Sequence, residues 1–147
     1  MATFYPPVGF HFKVEFTGIS TKDQDQEFQS VSGLSVGIET EEFTEGGENR
    51  FKHKFPVRTK FPNLVLKRGL FKDSELVKWC REAIEDFEFK PIDLTVKLLN
   101  QEHEPLMTWN VVHAYPVKWT VSDFNAEENG IVVETVELAY NYFKTIT

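Results

Sequence analysis

Four histidines and one cysteine of this chain could bind a metal ion or take part in catalysis. The histidines have no partner at the spacing of a metal-binding motif, and a single cysteine cannot build a structural zinc site. The cysteine falls on the apolar stripe of a predicted helix, where an inert, packed thiol is expected. We therefore predict no metal site from these residues, which are His11, His53, His103, His113 and Cys80.

Three glutamates in one predicted strand, Glu39, Glu41 and Glu42, could in principle form an acid–base pair. Glu39 and Glu41 share a strand face that should be solvated, and nothing predicts a pocket around them. The pair Gly46-Gly47 is not followed by the Lys-Ser or Lys-Thr of a phosphate-binding loop, so a turn or flexible tip is expected there. No serine stands in a nucleophile-elbow pattern. The sequence thus predicts neither an enzyme nor a cofactor.

The charges around these glutamates are sorted by sign. From Asp23 to Glu48 there are eight acidic residues and no Lys or Arg, whereas from Arg50 to Arg68 there are seven basic residues and no Asp or Glu. A block of one sign repels itself, so solubility alone favours interspersed charges. Identical copies that meet head-to-tail can place one block against the other, and such heterologous contacts build rings or filaments. The segment therefore predicts self-assembly.

The basic block also allows a nucleic-acid interpretation. Its cations alternate with aromatic residues, a pattern found in proteins that bind single strands. The simpler alternative is an amphipathic strand pair with one cationic face. The net charge of −7 disfavours nucleic acid as the partner. The residues concerned are Phe51, Lys52, Lys54, Phe55, Arg58, Lys60 and Phe61.

Size and composition suit one globular domain over residues 1–147, with 41% hydrophobic residues and fourteen phenylalanines. A single cysteine implies no intramolecular disulfide and no oxidising compartment. The first residues lack the pattern of a signal peptide, and no window is apolar enough for a membrane helix. We therefore expect synthesis in the cytoplasm and no membrane insertion of the monomer.

The elements that must position these residues are mostly β-strands. Phe10 to Thr17 alternates apolar and polar residues, which predicts one face on the core and one in water. The only convincing helix is Asp73 to Phe87, with Asp73 as N-cap. Its apolar stripe comprises Leu76, Val77, Cys80 and Ile84, widened by Trp79 and Ala83. Further strands are predicted at residues 28–31, 34–43, 50–57, 63–67, 92–98, 107–114, 117–121 and 131–142, with Pro56 and Pro62 at strand ends or edges.

These elements predict an α+β fold dominated by antiparallel sheet. One chain has too few strands to close a wide barrel alone, and rings of subunits would remove the open strand edges. A membrane barrel needs an apolar outer band with aromatic girdles, whereas the alternate strand faces here are charged. The strand pattern therefore favours a soluble ring over a porin.

Several ordered motifs resemble the tail tube proteins of contractile phages and of phage-like contractile injection systems. The matching segments, which span almost the whole chain, are PPVGFHFKVEFTG (6–18), FQSVSGLSVGIETEEFTEGG (28–47), FPNLVLKRGL (61–70), a helix containing Trp79, and TWNVVHAYPVKWTVSDFNAEENGIVVETVELAYNYF (108–143). Any one motif alone is weak, but the ordered combination is specific.

The resemblance implies two packed antiparallel sheets, as a β-sandwich or partial barrel, with one flanking helix. Six subunits would form a ring whose inner strands join into a continuous β-barrel, and rings would stack into a hollow rigid tube. A contracting sheath would drive that tube through a target envelope. The implied partners are other copies of the chain, the sheath protein, baseplate or spike and cap proteins, and protein or DNA cargo in the lumen.

The resemblance also suggests which residues make contacts. A loop at the Gly-Gly tip matches the position of an extended loop that family members use within and between rings; its contact residues would be Phe43, Glu45, Gly46, Gly47, Glu48, Arg50 and Lys52. Phe4, Tyr5 and Pro6 of the N-terminal arm are a weaker candidate. The acidic helix residues Glu82, Glu85 and Asp86 could face a basic sheath segment or simply be solvated.

Alternative functions stay open at this point. The chain could be a tube-initiating or tube-terminating paralogue near the cap or baseplate, or a ring protein like the type VI secretion tube. A small β-rich enzyme or ligand carrier has no motif behind it. The resemblance implies a component of a virion or injection particle, assembled in the bacterial cytoplasm and in some systems released from the cell.

Overall fold

The structure, a computed structural model, describes residues 10–19, 23–43, 53–70, 73–122 and 132–146. Within these residues every strand pair is antiparallel. One α-helix accompanies the strands, so the predicted mainly β class with antiparallel sheets and one helix is confirmed. The elements are β1 His11–Phe16, a 3₁₀ turn Asp23–Gln26, β2 Glu27–Phe28, β3 Ser30–Ser32, β4 Gly37–Phe43, β5 His53–Lys60, β6 Leu64–Gly69, α1 Glu75–Glu85, β7 Ile92–Leu99, β8 Pro105–Val121, β9 Val133–Ala139 and β10 Tyr142–Thr145.

Eight strands form one sheet that curls around the core. Its order is β2-β1-β7-β8-β9-β6-β3, and β10 pairs with β8 beside this path. The end strands β2 and β3 follow each other in one short segment of the chain. Gln29, the residue between them, donates from its amide to the Lys67 carbonyl at 2.9 Å. The two ends of the sheet therefore meet on that segment, and the sheet forms a partial barrel within one subunit.

The long strand β8 belongs to both halves of this sheet. Its first half pairs with β7 and β10, and its second half pairs with β9. The direction changes near His113, whose φ of 61° is left-handed and whose amide donates to Asp93 Oδ1 at 3.0 Å. A register shift between Pro116 and Lys118 adds a bulge, and bulges bend strands. The two strands predicted at 107–114 and 117–121 are thus one bent strand.

The core lies between the two halves of the curled sheet and α1. The predicted alternation in β1 is confirmed, since Val14 and Phe16 are buried. In β7, Leu94 and Val96 point inward in the same way. Other fully or nearly fully buried residues of the cluster are Leu64, Leu66, Leu76, Trp79, Cys80, Val111, Ala114, Val136 and Leu138.

The helix begins later than predicted. Ser74, not Asp73, is the N-cap, because the Ser74 hydroxyl accepts a hydrogen bond from the Val77 amide at 3.1 Å. Asp73 adopts a φ of 61° outside the helix, so the predicted start was wrong. The buried stripe consists of Leu76, Trp79, Cys80 and Ala83. Ile84, predicted on that stripe, is 49% exposed because helix geometry places it at the flank of the buried face formed by these four residues.

Candidate assembly interface

The charge-sorted segment folds in part into a separate hairpin. Strands β4 and β5 pair with each other from Gly37↔Lys60 to Phe43↔His53. Phe43 therefore ends β4 next to the connection predicted to make contacts. The other predicted residues of that connection (Glu45, Gly46, Gly47, Glu48, Arg50 and Lys52) lie outside the described residues, as do Phe4, Tyr5 and Pro6 of the N-terminal arm.

Opposite charges of the two blocks meet within one chain in this hairpin. Arg58 Nε lies 3.0 Å from Glu39 Oε2, and Lys54 is the cross-strand neighbour of Glu42. Directly opposed charges of opposite sign stabilise a strand pair modestly. Part of the charge sorting is therefore explained by pairing inside the subunit, before any second copy is considered.

The cations of β5 do not share one face, contrary to the amphipathic strand pair considered above. Thr40 pairs with Pro56 and Glu39 pairs with Arg58, so β5 carries one extra residue, Val57, at this point. Because directly paired residues lie on the same face, the bulge places Lys54 and Arg58 on opposite faces. A single cationic strip suited to a nucleic-acid backbone is therefore not formed here.

The hairpin exposes apolar side chains on a sheet with open edges. Ile38 is 66% exposed and Phe55 is 52% exposed. Within the described residues β4 and β5 pair only with each other, and β10 pairs only with β8. Exposed apolar residues and unpaired strand edges both favour contact with another chain. The hairpin is therefore the candidate assembly interface.

The acidic helix residues have a more ordinary environment. Glu82, Glu85 and Asp86 are all exposed on the C-terminal half of α1. Arg81 Nε lies 3.2 Å from Glu85 Oε1, one turn away, so one of the three carboxylates is paired locally. Their exposure leaves them accessible to a basic partner and equally to solvent.

Sequence reasoning missed a buried ionic network centred on Arg68. The guanidinium donates from Nε to Glu134 Oε2 at 2.8 Å, from Nη1 to Asp25 Oδ1 at 2.7 Å, and from Nη2 to Ser74 Oγ at 2.9 Å. All four residues are at most 4% exposed. No buried polar side-chain atom among the described residues lacks a partner. A buried ion pair is tolerated only when its hydrogen bonds are satisfied in this way.

The network joins elements that are distant in sequence. Asp25 Oδ2 accepts from the Glu75 amide at 2.9 Å and the Leu76 amide at 3.2 Å, so the 3₁₀ turn caps the positive end of α1. Trp119 Nε1 in β8 donates to Glu134 Oε1 at 2.8 Å. The Arg68 guanidinium also stacks over the Phe28 ring at 4.9 Å. The network centred on Arg68 thereby ties together β2, β6, β8, β9 and the start of the helix.

A signal for this network was present in the sequence. Leu64, Leu66 and Arg68 alternate along β6, and Glu134, Val136 and Leu138 alternate along β9. Each strand thus carries one charge at an inward-facing position, and the two charges have opposite signs. A charge on an apolar face requires a buried partner.

Comparison with known proteins identifies the fold. The family profile described as the T4-like virus tail tube protein gp19 matches residues 8–144. The chain belongs to this tail tube family. No match is found among curated protein sequences.

Solved structures resemble this chain over nearly its whole length. A chain in the sixfold-symmetrised baseplate of the anti-feeding prophage is 28% identical, with a TM-score of 0.80, covering 99% of this chain and 97% of that one. A chain of the sheath–tube complex of the extracellular contractile injection system PVC, in its extended state, is 30% identical with a TM-score of 0.74, covering 97% and 92%. Hcp1 from Flavobacterium johnsoniae shares the fold alone, at 16% identity, a TM-score of 0.55 and coverage of 92% and 94%.

Several of the motifs that resemble this family each supply a residue of the buried network around Arg68. Phe28 comes from FQSVSGL, Arg68 from PNLVLKRG, Trp119 from AYPVKW and Glu134 from ETVELAY. Gly33, in the first motif, accepts a hydrogen bond from Tyr140 of the last at 3.4 Å. The family motifs therefore contribute the residues that hold the sheet and the helix of the subunit together.

The described residues hold no group of three or more His, Cys, Asp or Glu side chains that could bind a metal. Burial, with Glu134 adding to it, raises the pKa of the Cys80 thiol from 9.0 to about 12. This environment disfavours the thiolate, as predicted for an inert packed cysteine. Among the described helices, none combines the length and the hydropathy that a membrane crossing requires.

Proposed function

We propose that this tail tube protein forms six-membered rings that stack into the hollow inner tube of a contractile injection system or phage tail. The observation that carries the proposal is the exposed β4–β5 hairpin, which presents Ile38 and Phe55 on strands with open edges. Two similar chains come from a sheath–tube complex and from a sixfold-symmetrised baseplate. The proposed work of the tube is mechanical, with no catalytic turnover and no cofactor.

The outer faces of three strands, β1, β7 and β8, suit a wall that borders water. On β1 and β7, Lys97 Nζ lies 3.0 Å from Glu15 Oε1, and on β7 and β8, Thr95 Oγ1 lies 3.1 Å from Asn110 Oδ1. Core packing occupies the opposite face of these strands. We infer that inner strands of neighbouring subunits join into a continuous β-barrel whose lumen conducts protein or DNA cargo. The open edge of β10 is one place where such pairing can occur.

The connection between β4 and β5 is the proposed contact within and between rings. The contact residues would be Phe43, Glu45, Gly46, Gly47, Glu48, Arg50 and Lys52, and the arm residues Phe4, Tyr5 and Pro6 would add a further contact. The variant Arg50→Glu/Lys52→Glu should abolish stacking in electron micrographs. Lys78→Glu/Arg81→Glu changes the net charge equally, on α1, and should stack normally. Normal stacking of the first variant would remove this connection from the proposal.

The sheath is the proposed partner of the acidic side of α1. A basic sheath segment would meet Glu82, Glu85 and Asp86, all of which are exposed. Changing these three residues to Gln and Asn should reduce sheath recruitment onto preformed tubes and leave the tubes intact. Unchanged recruitment would mean that this helix face is only solvated.

Electron microscopy of the purified protein tests the main proposal. Sixfold rings that stack into tubes are expected, and sheath protein supplied in excess should coat them. We propose that the whole chain is one domain, assembled in the bacterial cytoplasm into a particle with baseplate, spike and cap proteins. A monomer at every concentration tested, without rings, would contradict the proposal.

A second candidate function is a tube-initiating or tube-terminating subunit. Its support is that similar chains include one from the anti-feeding prophage cap, at 27% identity, and one from the PVC sheath/tube terminator, at 31%. Rings that form but never stack, with or without sheath, would favour this candidate over the main tube subunit.

A further inference from the structure

The end of α1 carries an aromatic cluster that the proposed tube leaves without a role. Phe87 is 80% exposed, and its ring meets the Phe89 ring edge-on with centroids 4.8 Å apart. Phe89 in turn meets Tyr115 of β8 at 5.7 Å. The buried Trp79 donates from Nε1 to the Lys90 carbonyl at 2.9 Å, which holds the segment after the helix. The aromatic cluster (Phe87, Phe89 and Tyr115) is thus tied to the core and still open to solvent.

Phe87 also occupies a costly backbone conformation. It closes the helix, since the amides of Asp86 and Glu88 on either side both donate to the Glu82 carbonyl. Its φ of 55° is left-handed, where glycine is usual at a helix end and a bulky residue is an outlier. The other non-glycine residues with positive φ in the described chain are Asp73, His103 and His113, whose types tolerate this region better.

The backbone strain at Phe87 is not offset by burial of its side chain inside the subunit. An exposed ring gains little free energy from the hydrophobic effect. Strained residues of this kind cluster where a residue serves a contact with a ligand or partner. The exposure and the strain, taken together, indicate that the ring is covered by another molecule.

The charge around the cluster defines the chemistry of that molecule. Glu88, between Phe87 and Phe89, is exposed and acidic, and it is not one of the three carboxylates proposed to face the sheath. An apolar centre beside a carboxylate suits a partner that offers apolar side chains next to a cation.

The chain itself contains a segment with this chemistry in β5. Phe55 and Val57 are 52% and 46% exposed, and Lys60, which the strand pairing places on the same face as Phe55, is exposed too. Lys60 lies opposite Gly37, so its cross-strand neighbour supplies no opposite charge. The strand β5 therefore offers exposed apolar side chains to the aromatic cluster and one exposed cation, Lys60, to Glu88.

We propose that the aromatic cluster of one copy receives β5 of a second copy. Phe87 and Phe89 would pack against Phe55 and Val57, with Glu88 near Lys60. The contact joins two different surfaces, so it propagates from copy to copy as a ring or an open stack. It rests on the proposed tube function and names one contact between its subunits.

The first test uses Phe87→Gly, which removes both the ring and the strain. We expect the melting temperature of the unassembled subunit to rise by about 2–4 °C, because glycine accepts this φ. The protein concentration needed for half-maximal assembly should rise at least tenfold. Asp73→Gly is the matched control: it relaxes a left-handed residue at the other end of the same helix, so it should raise the melting temperature and leave assembly unchanged. Assembly of Phe87→Gly at the wild-type concentration would overturn the proposal.

The second test asks whether β5 of a second copy is the segment that packs on the aromatic cluster. Glu88→Lys should weaken assembly, and Lys60→Glu in the same chain should restore it. Phe87→Cys combined with Phe55→Cys should form an intermolecular disulfide under mild oxidation, whereas Phe87→Cys with Glu102→Cys should not. The native Cys80 is buried and does not compete. Absence of charge rescue together with absence of the Phe87–Phe55 crosslink would overturn the proposal.

Crosslinking and tube formation together distinguish a failure of this contact from a failure of the proposed tube function. Crosslinks in wild-type-like oligomers that never stack into tubes would support the contact and contradict the proposed tube function. Tubes that form normally without the crosslink would support the tube function and contradict the contact.

Discussion

The Arg68 network and the β4–β5 hairpin place the same kind of ion pair in opposite environments. Arg68 and Glu134 are at most 4% exposed, and every polar atom around them is satisfied. Arg58, in the hairpin, meets Glu39 at 3.0 Å with 71% of its side chain exposed. Breaking a buried pair typically costs about 3–5 kcal/mol, whereas an exposed pair contributes about 0–1 kcal/mol. The network therefore stabilises the subunit, and the hairpin can be altered without unfolding it.

Arg68→Met gives the largest expected effect and tests this contrast directly. It leaves the carboxylates of Asp25 and Glu134 buried without their cation, so the free energy of unfolding should fall by about 3–5 kcal/mol. Arg58→Met removes the exposed pair and should change it by no more than about 1 kcal/mol. Urea denaturation followed by tryptophan fluorescence measures both. Equal losses in the two variants would show that burial does not separate the two regions.

Two glycines sharpen the comparison at the level of the backbone. A Cβ on Gly33, whose φ is +94°, would lie 2.1 Å from the Asn63 carbonyl oxygen. Gly33→Ala should therefore cost about 1–3 kcal/mol or more, because both the conformation and the space are unsuitable. At Gly37, in the hairpin, an added Cβ has nothing within 4 Å. Gly37→Ala is expected to be neutral in thermal melts, and a loss similar to that of Gly33→Ala would contradict the packing described here.

The helix start offers a smaller test of the same network. Ser74→Ala removes the N-cap and the hydroxyl that accepts from Arg68, which should cost about 1–2 kcal/mol. Asp73→Asn keeps a side chain that tolerates the left-handed φ and should stay within about 0.5 kcal/mol of wild type. If Ser74→Ala loses no more stability than Asp73→Asn in thermal melts, Ser74 is not the N-cap.

The reactivity of the Cys80 thiol provides a test of its burial in the core. Burial raises the pKa of its thiol to about 12, so the thiol stays neutral from pH 7 to pH 10 in the folded subunit. A raised pKa of an acid means that its stabilising contribution is present below pH 9 and is lost as the pH rises towards 12. A thiol reagent at pH 8 should react with Cys80 only after denaturant is added. Rapid reaction in the folded subunit would contradict the described burial.

Much of the fold could be predicted from local pattern, because alternation reports which face of a strand is buried. This is why β1, with Val14 and Phe16, was placed correctly. The bend in β8 could not be predicted, because it depends on the left-handed His113 and on a bulge set by the partner strand. The helix start was misplaced for a similar reason: Ser74 and Asp73 are both good N-caps, and Asp25, 50 residues before Glu75, decides between them.

The candidate interface was predicted less completely. Charge sorting in the sequence pointed to contacts between copies, and the hairpin shows that part of it is satisfied within the chain by Glu39 and Arg58. The bulge at Val57 splits the cations between two faces, which no spacing rule applied to β5 alone would detect. The exposure of Ile38 and Phe55, which carries the assembly proposal, depends on where the hairpin stands relative to the core.

The central claim is that the buried network holds the subunit together while the hairpin serves assembly. Electron microscopy and circular dichroism of one variant, Ile38→Thr/Phe55→Thr, test it most directly, since threonine keeps the β propensity of the strands. The subunit should keep its spectrum and melt within about 2 °C of wild type, because both side chains are exposed. The micrographs should show no tubes. Tubes of normal length, or a variant that no longer folds, would contradict the account.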